Sequence, residues 1–257
     1  MEICVCVKRV PMVGGAIMVL PDGMDIDVSM SGFTVSPHEE CAVEEAVQIT
    51  ESLGGSVTVL TLGPAEAAAQ LRDMLALGAG RGILLETDGA EWGPVATAAA
   101  IADAVRDGGT SSYDLLLFGN ESADSGGYQV PVRVAHALGL PCVTGIKRLQ
   151  ITGDGAPGGL VASREYRGAE EVFEVPLPAV VSVKEGINLP RYPSLPGRLR
   201  AKRATIETIE PRPGSEGLQK ARLRVPQTSG KGAQVLGSGA EAVPALVALL
   251  DELGVLP

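Results

Sequence analysis

Short apolar runs alternate with longer stretches of helical periodicity from Met1 to about Val143, and this alternation limits the possible folds more than any other feature. It is typical of a parallel sheet with helices on both faces. Strands covered on both faces are apolar throughout. The predicted strands are Ile3 to Val7, Val57 to Leu62, Gly82 to Glu86 and Leu115 to Phe118. We therefore predict an α/β fold with a doubly wound, mostly parallel sheet.

Helices are predicted between and after these strands. Ser36 is a suitable N-cap, Pro37 suits the first helical position, and Glu39 completes a capping box. A helix is therefore expected from Pro37 to about Leu53. Further helical patterns, two of them closed by a glycine, are Pro64 to Leu77, Pro94 to Arg106 and Tyr128 to Leu138.

The pattern changes beyond Thr144, where β-type runs are separated by Gly-rich or charged turns. These runs predict an antiparallel extension. They are Ile146 to Ile151, Leu160 to Tyr166, Glu171 to Val175 and Ala179 to Val183. A hairpin is also predicted where Ile17 to Leu20 and Met24 to Asp27 flank a Pro-Asp-Gly turn. We expect residues 1–204 to form the α/β domain. Residues 205–257 are expected to form a C-terminal arm that ends in a helix between Ala240 and Leu253.

Charge and composition exclude several functions. The formal charge of −10 disfavours a broad nucleic-acid surface, which needs a dense field of Lys and Arg. No apolar run approaches the ~20 residues of a membrane span, and the start lacks a basic leader. We therefore expect a cytoplasmic chain without membrane insertion or nucleic-acid binding. The four cysteines lack CxxC spacing and the histidines number two, so no metal site is expected.

The loop after Leu115 to Phe118 is the first candidate binding segment. Doubly wound sheets bind ligands outside the carboxyl ends of their strands. Small residues there let backbone N–H groups approach a phosphate, which the next helix N-terminus also favours. Asp124 could accept from a ribose hydroxyl and Gln129 could bond a base or phosphate, although a simple turn has the same composition. The loop comprises Gly119, Asn120, Glu121, Ser122, Ala123, Asp124, Ser125, Gly126, Gly127, Tyr128, Gln129 and Val130.

Two basic segments are further candidates. Lys8 and Arg9 follow the first strand and either face the same crevice, where they could meet a phosphate or a carboxylate, or form an exposed pair. Residues 188–203 concentrate positive charge around Tyr192 and Leu195, and prolines restrict this segment. A pre-ordered basic loop with an apolar anchor suits docking to an acidic protein surface. A solvated charge run is the alternative, but the apolar residues interleaved with the charges make it less persuasive.

These segments, in this order, resemble the beta subunit of electron-transfer flavoproteins from Ile3 to about Glu207. The matching phrases are Val7-Lys8-Arg9-Val10-Pro11, Ser36-Pro37-His38-Glu39-Glu40, Ala42-Val43-Glu44-Glu45-Ala46, Gly63-Pro64-Ala65, Leu77-Gly78-Ala79-Gly80-Arg81-Gly82, the Gly119 to Val130 loop, Leu177-Pro178-Ala179-Val180-Val181, and Pro190-Arg191-Tyr192 through Leu195-Pro196 to Ala201-Lys202. The resemblance implies a Rossmann-like fold of the adenine-nucleotide alpha-hydrolase-like kind. It also implies an electron carrier subunit without catalytic activity of its own.

The resemblance further implies a heterodimer whose alpha subunit carries most of the FAD, while this chain holds AMP or a second FAD in its place. Electrons would come from acyl-CoA or related flavin dehydrogenases and pass to ETF-quinone oxidoreductase or another acceptor. The arm would wrap the alpha subunit, and His38 matches a position near the flavin across the subunit boundary. The nucleotide would be held by Cys6, Lys8, Ser36, Pro37, His38, Glu39, Leu62 and Gly119 to Val130.

The same resemblance implies a recognition loop over residues 184–203 that docks the dehydrogenase. The position of Leu195 inserts into the partner, and Tyr192, Arg191 and Arg198 are expected to take part in docking. Two other classes of protein stay open. One is a stand-alone adenine-nucleotide module of the universal-stress-protein kind, although the Gly loop of that family is not evident. The other is an adenylating enzyme of the ATP-pyrophosphatase kind, whose phosphate loop the residues 124–127 match only superficially.

Overall fold

The computed structural model describes residues 1–12, 14, 17–107, 113–153, 158–214, 217, 220–226 and 233–256. The strands are β1 (Glu2–Cys6), β2 (Val10–Pro11), β3 (Phe33–Thr34), β4 (Ser56–Gly63), β5 (Arg81–Glu86), β6 (Leu115–Gly119), β7 (Cys142–Ile146), β8 (Arg148–Thr152), β9 (Gly159–Tyr166), β10 (Ala169–Pro176), β11 (Ala179–Val183) and β12 (Ile206–Ile209). The α-helices are α1 (Pro37–Leu53), α2 (Ala68–Leu77), α3 (Pro94–Asp107), α4 (Val130–Leu138), α5 (Leu195–Arg203) and α6 (Val243–Glu252).

The main sheet has the strand order β12-β5-β4-β1-β6-β11-β7, and the pairings recorded between its strands are parallel. Alternate residues of β1 point to opposite faces. Val5 packs with residues of α1 and α2, whereas Cys4 packs with residues of α3 and α4. Helices therefore cover both faces, and the predicted doubly wound α/β fold is confirmed.

The position of β1 within the sheet locates the crevice. The chain passes from β1 through α1 to β4 on one side, and β6 pairs with β1 on the other side. The strand order thus reverses direction between β1 and β6. Crevices at such switch points, outside the carboxyl ends of the strands, are where open α/β sheets bind ligands.

The second half of the chain is arranged differently from the prediction. Strands β8, β9 and β10 form the expected antiparallel sheet. The assignment of Ala179 to Val183 to this extension is wrong, because that strand lies in the main sheet, parallel to β6 and β7. All five of its residues are buried, as in a strand covered on both faces. The predicted run Ile146 to Ile151 is also divided, since Ile146 ends β7 and β8 begins at Arg148.

Residues 195–203, expected as part of a proline-restricted loop, form the helix α5 instead. The Ser194 hydroxyl accepts a hydrogen bond from the Gly197 N–H at 3.1 Å, and Pro196 occupies the first turn. A Cβ at Gly197 would lie 2.7 Å from the carbonyl oxygen of Ala76, so glycine is required where α5 approaches α2. The segment therefore has local helical structure rather than an irregular loop.

Other expectations are confirmed or refined. Helix α1 has the predicted bounds and its capping box. The hairpin is short, with an isolated bridge between Val19 and Ile26. The predicted arm contains β12, which pairs with β5 at the sheet edge, and the exposed helix α6. Residues 215–216, 218–219, 227–232 and 257 of the arm lie outside the described residues. Within the described residues, no helix is long and apolar enough to cross a bilayer.

Candidate functional site

An ion pair connects the ends of β1 and β6 at the crevice. Lys8 Nζ lies 2.6 Å from Asp124 Oδ2 and 3.5 Å from the Ser125 hydroxyl. Burial alone would raise the pKa of Asp124, but the hydrogen bond and charge of Lys8 hold it below its usual value. Lys8 therefore lies against the loop after β6. Arg9 lies elsewhere, with its guanidinium 3.2 Å from the centroid of the Phe33 ring.

The first turn of α1 forms one wall of the crevice. The Ser36 hydroxyl accepts a hydrogen bond from the Ala123 N–H at 2.9 Å, and the Ser36 N–H donates to Glu39 Oε2 at 3.1 Å. A Cβ at Gly119 would lie 2.6 Å from Cγ of Glu39, so only glycine lets β6 end this close to the helix. The loop after β6 and the start of α1 are thus locked together.

Glu39 is a buried carboxyl group beneath the crevice, with 6% of its surface exposed. Burial raises its pKa to about 8, and hydrogen bonds from Ser36 and Lys8 counteract this shift only in part. Nearby Cys6 also has a raised pKa, first because of its hydrogen bond with Cys4 and then because of burial. Both groups therefore favour their protonated, neutral forms at neutral pH.

Strand β11 supplies site residues that the sequence did not predict. The Asn120 N–H donates to the carbonyl of Val183 at 2.9 Å, and the Ser182 hydroxyl lies 3.3 Å from Asn120 Oδ1. The same hydroxyl accepts from the Gly145 N–H at 3.2 Å. Had Ala179 to Val183 been assigned to the parallel sheet, its carboxyl end would have been placed beside Asn120.

His38 connects the start of α1 to the residue after β11. Its Nδ1 atom accepts a hydrogen bond from the Glu185 N–H at 2.6 Å, and its Nε2 atom lies 3.5 Å from Glu121 Oε1. Because Nδ1 is an acceptor, a neutral His38 must carry its proton on Nε2, towards Glu121. The ring orientation is therefore fixed from both sides.

The end of the loop after β6 offers hydrogen-bond donors. Within the described part of the chain, the backbone N–H groups of Gly127, Tyr128 and Gln129 have no protein acceptor, and no side chain caps α4. The N-terminus of a helix carries a partial positive charge. Unpaired N–H groups at a helix N-terminus favour an anion such as a phosphate. The Gln129 side chain instead accepts hydrogen bonds from the Arg133 guanidinium at 2.9 and 3.2 Å.

The remaining predicted residues lie around this centre. Pro37 is exposed at the start of α1, and Leu62 on β4 is half-buried on the sheet face covered by α3 and α4. Ser122 and Ser125 approach each other with 2.9 Å between their hydroxyl oxygens. Gly126 has a φ of +54°, which favours glycine. Within the described residues, no group of three or more His, Cys, Asp or Glu side chains could hold a metal ion.

The segment 184–203, predicted to be a recognition loop, begins beside His38 at the crevice and exposes two large side chains. Tyr192 is 94% exposed and Leu195 is 72% exposed. Helix α5 carries Arg198, Arg200, Lys202 and Arg203, so the two apolar side chains stand beside positive charge. Arg191 differs from these residues, because its guanidinium is bound to Glu44 and Glu51 of α1.

Comparisons with known proteins give consistent results. The family model described as "Electron transfer flavoprotein domain" matches residues 27–213. The "Electron transfer flavoprotein subunit beta" of Bacillus subtilis is 37% identical over 178 residues, which are 68% of this chain and 66% of that protein. The protein of the same name from Syntrophomonas wolfei is 37% identical over 209 residues, covering 81% and 79% of the two chains. The human protein of that name is 32% identical over 259 residues, covering 99% and 98%.

Proposed function

Because this chain belongs to the electron transfer flavoprotein family, as a beta subunit, we propose that it pairs with an alpha subunit and carries electrons from flavin dehydrogenases to a downstream acceptor. One observation supports the docking role above all. The basic segment 184–203 exposes Leu195 and Tyr192 while its base is held on α1. Acyl-CoA dehydrogenases are the proposed donors and ETF-quinone oxidoreductase is the proposed acceptor. The chain itself performs no catalysis in this proposal.

The crevice at the switch point is the proposed nucleotide site. The N–H groups of Gly127 to Gln129 and the uncapped start of α4 suit a phosphate group. Lys8 supplies a cation at the same loop, and Asp124 can accept from a ribose hydroxyl. These residues suit AMP, because its single phosphate needs only one set of N–H donors. A second FAD in the same place remains the alternative occupant.

The first turn of α1 is the proposed wall of the FAD pocket in the heterodimer. FAD, when bound there, supplies the redox chemistry, and the protein positions it. His38 is held by Glu185 on one side and approached by Glu121 on the other. The His38 ring is therefore already oriented and can contact a neighbouring group without changing its conformation. Both observations support a positioning role for His38.

The C-terminal arm is the proposed contact with the alpha subunit. None of the α6 residues, all of which the structure describes, is buried in this chain. Val243, Leu246 and Val247 are among its exposed apolar side chains. A helix of this composition is stable in water only if its apolar face is covered. The alpha subunit is the proposed cover.

Co-expression with a candidate alpha chain tests the proposal. We expect a stable heterodimer that releases FAD and AMP on denaturation, identified by mass spectrometry. Release of FAD alone at two per heterodimer would assign the crevice to a second FAD. A monomeric chain that hydrolyses ATP would overturn the proposal and favour a nucleotide sensor or an adenylating enzyme.

A further inference from the structure

Arg191 is enclosed by two carboxylates of α1. Its Nε and Nη2 atoms donate to Glu44 at 2.9 and 3.1 Å, and its Nη1 and Nη2 atoms donate to Glu51 at 2.6 and 2.9 Å. The Arg191 backbone N–H also donates to Glu44 Oε2 at 3.1 Å. One guanidinium thus makes two forked pairs, the geometry that gives Arg its strongest carboxylate contacts. Little of its donor capacity is left for another protein.

Glu44 makes this arrangement costly to break. Its side chain is 3% exposed, and an unpaired buried carboxylate is strongly unfavourable. Burial by itself would raise the pKa of Glu44, but hydrogen bonds from Arg191 and Gln48 hold it below the usual value. Glu44 is therefore ionised and depends on Arg191 for its counter-charge.

The chain just before Arg191 is tied to the same helix at further points. Asn188 Nδ2 donates to the Cys41 carbonyl at 3.0 Å and to Glu45 Oε2 at 2.8 Å. Nearer the crevice, the Glu185 N–H donates to His38. The ties extend along α1 from His38 to Glu51, a distance of about 20 Å at 1.5 Å per residue. The base of the recognition segment is thus laid along α1.

The far end of the segment is attached to α2. Arg200 Nη2 donates to the carbonyl of Leu75 at 3.1 Å, and Gly197 closely approaches the carbonyl of Ala76. Between these two attachments, Tyr192 and Leu195 point to solvent. The exposed apolar residues are therefore held at both ends before any partner arrives.

We propose that Arg191 is a positioning residue for docking and not a contact residue. Its clamp on Glu44 and Glu51 fixes the recognition segment to α1, so that Leu195 is presented at a set distance from the crevice that the same helix lines. This inference rests on the proposed function, because it assumes that Leu195 docks the dehydrogenase. Ordering the segment beforehand lowers the entropy lost on docking.

Glu51 provides a discriminating variant, because its side chain is 58% exposed and its removal leaves the Glu44 pair in place. If the segment acted only through positive charge, Glu51→Ala would remove a negative charge and strengthen docking to an acidic partner. If the clamp positions the segment, Glu51→Ala weakens docking. The two explanations thus predict opposite signs.

The test uses the heterodimer with an acyl-CoA dehydrogenase that reduces the wild type. The KM and kcat of the dehydrogenase are measured at steady state with the heterodimer as the electron acceptor. Hydrogen exchange is measured in peptides that span residues 184–203. We expect Glu51→Ala and Arg191→Met to raise KM about tenfold with little change in kcat, and to speed exchange in these peptides. Arg198→Met serves as a matched control that removes an exposed positive charge from the same segment without speeding exchange.

The outcomes separate the two proposals. An unchanged or lower KM for Glu51→Ala, or unchanged exchange, overturns the positioning role of Arg191. An unchanged KM for Leu195→Ala overturns the docking function itself, whatever the clamp variants show. If Arg191→Met does not fold because Glu44 is left unpaired, Glu51→Ala still decides the question.

Discussion

Nζ of Lys8 lies 2.6 Å from Oδ2 of Asp124, and this ion pair joins the segment that follows β1 to the loop that follows β6. The two strands are neighbours in the sheet, but the chain reaches the second only after passing through β4 and β5. The ion pair therefore bridges the switch point and involves the loop whose N–H groups are proposed to bind a phosphate. A phosphate bound there would share Lys8 with Asp124.

Replacement of Lys8 by Met should weaken nucleotide binding. The variant loses the cation beside the loop, and a charge-assisted hydrogen bond contributes about 1.5–3 kcal/mol, or roughly a tenfold to hundredfold rise in Kd. The check is the amount of AMP released per heterodimer, measured by mass spectrometry. Lys202→Met removes a lysine from α5, outside the crevice, and should leave AMP content unchanged. Full AMP retention by the Lys8 variant would contradict the proposed site.

Replacement of Leu195 by Ala should slow electron transfer from the dehydrogenase while FAD stays bound. An anchor residue at the centre of an interface contributes about 2 kcal/mol or more, which predicts a fall in kcat/KM of roughly thirtyfold. The measurement is dye reduction coupled through the heterodimer, together with the visible flavin spectrum. Leu53→Ala, at the exposed end of α1, is the matched control. Equal loss of activity in both variants would argue against a specific anchor.

Glu39 should make stability depend on pH. Its pKa is about 8 in the folded chain against 4.5 when unperturbed, so the folded state binds the proton more tightly. Its contribution to stability is complete below about pH 4.5 and is lost as pH rises through 8, with a slope of at most about 1.4 kcal/mol per pH unit. Glu39→Gln should remove this dependence.

Unfolding temperatures of the heterodimer at pH 5.5, 7 and 8.5 would check the Glu39 prediction. The wild type should lose stability relative to Glu39→Gln across this series. Glu45→Gln offers a comparison on the same helix, since burial also raises the pKa of Glu45. Parallel curves for wild type and Glu39→Gln would show that Glu39 does not titrate in this range.

Replacement of Leu246 by Asp should weaken the heterodimer without unfolding the chain. The side chain is exposed in the beta subunit alone, so the change costs little there. Burial of an unpaired carboxylate against the alpha subunit would be strongly unfavourable. Analytical ultracentrifugation should show dissociation at concentrations where the wild type is paired. Asp251→Asn, on the same helix, should pair normally; pairing of both variants would place the interface elsewhere.

Local signals in the sequence account for the parts of the fold that could be predicted. Ser36, Pro37 and Glu39 identify the start of α1 because capping depends on residues that are close in the chain. The same kind of signal, Ser194 followed by Pro196, marks the start of α5, but the prolines around it also predict an irregular loop. Strand β11 was misplaced because an apolar run does not reveal which strands it joins.

In the candidate site, too, some features follow from local sequence signals and others depend on distant contacts. The sequence is enough to predict that Lys8 and the Gly119 to Val130 loop lie near each other, because strand ends in a parallel sheet meet at one edge. The clamp of Arg191 by Glu44 and Glu51 cannot be predicted from the sequence, because its partners lie 147 and 140 residues away in the chain. Contacts of this kind depend on the final packing of elements, which local patterns do not encode. Exposed basic residues and clamped ones look alike in a sequence.

The insertion of β11 between β6 and β7 also bears on how the protein is made. Both neighbours precede β11 in the chain, so each keeps an open edge until residues 179–183 have left the ribosome. Pairing between distant segments slows folding, and open strand edges invite aggregation. A nascent chain whose synthesis stalls in β8 to β10, before β11, would expose the open edges of both β6 and β7. We expect such chains to depend on chaperones during synthesis more than completed ones do.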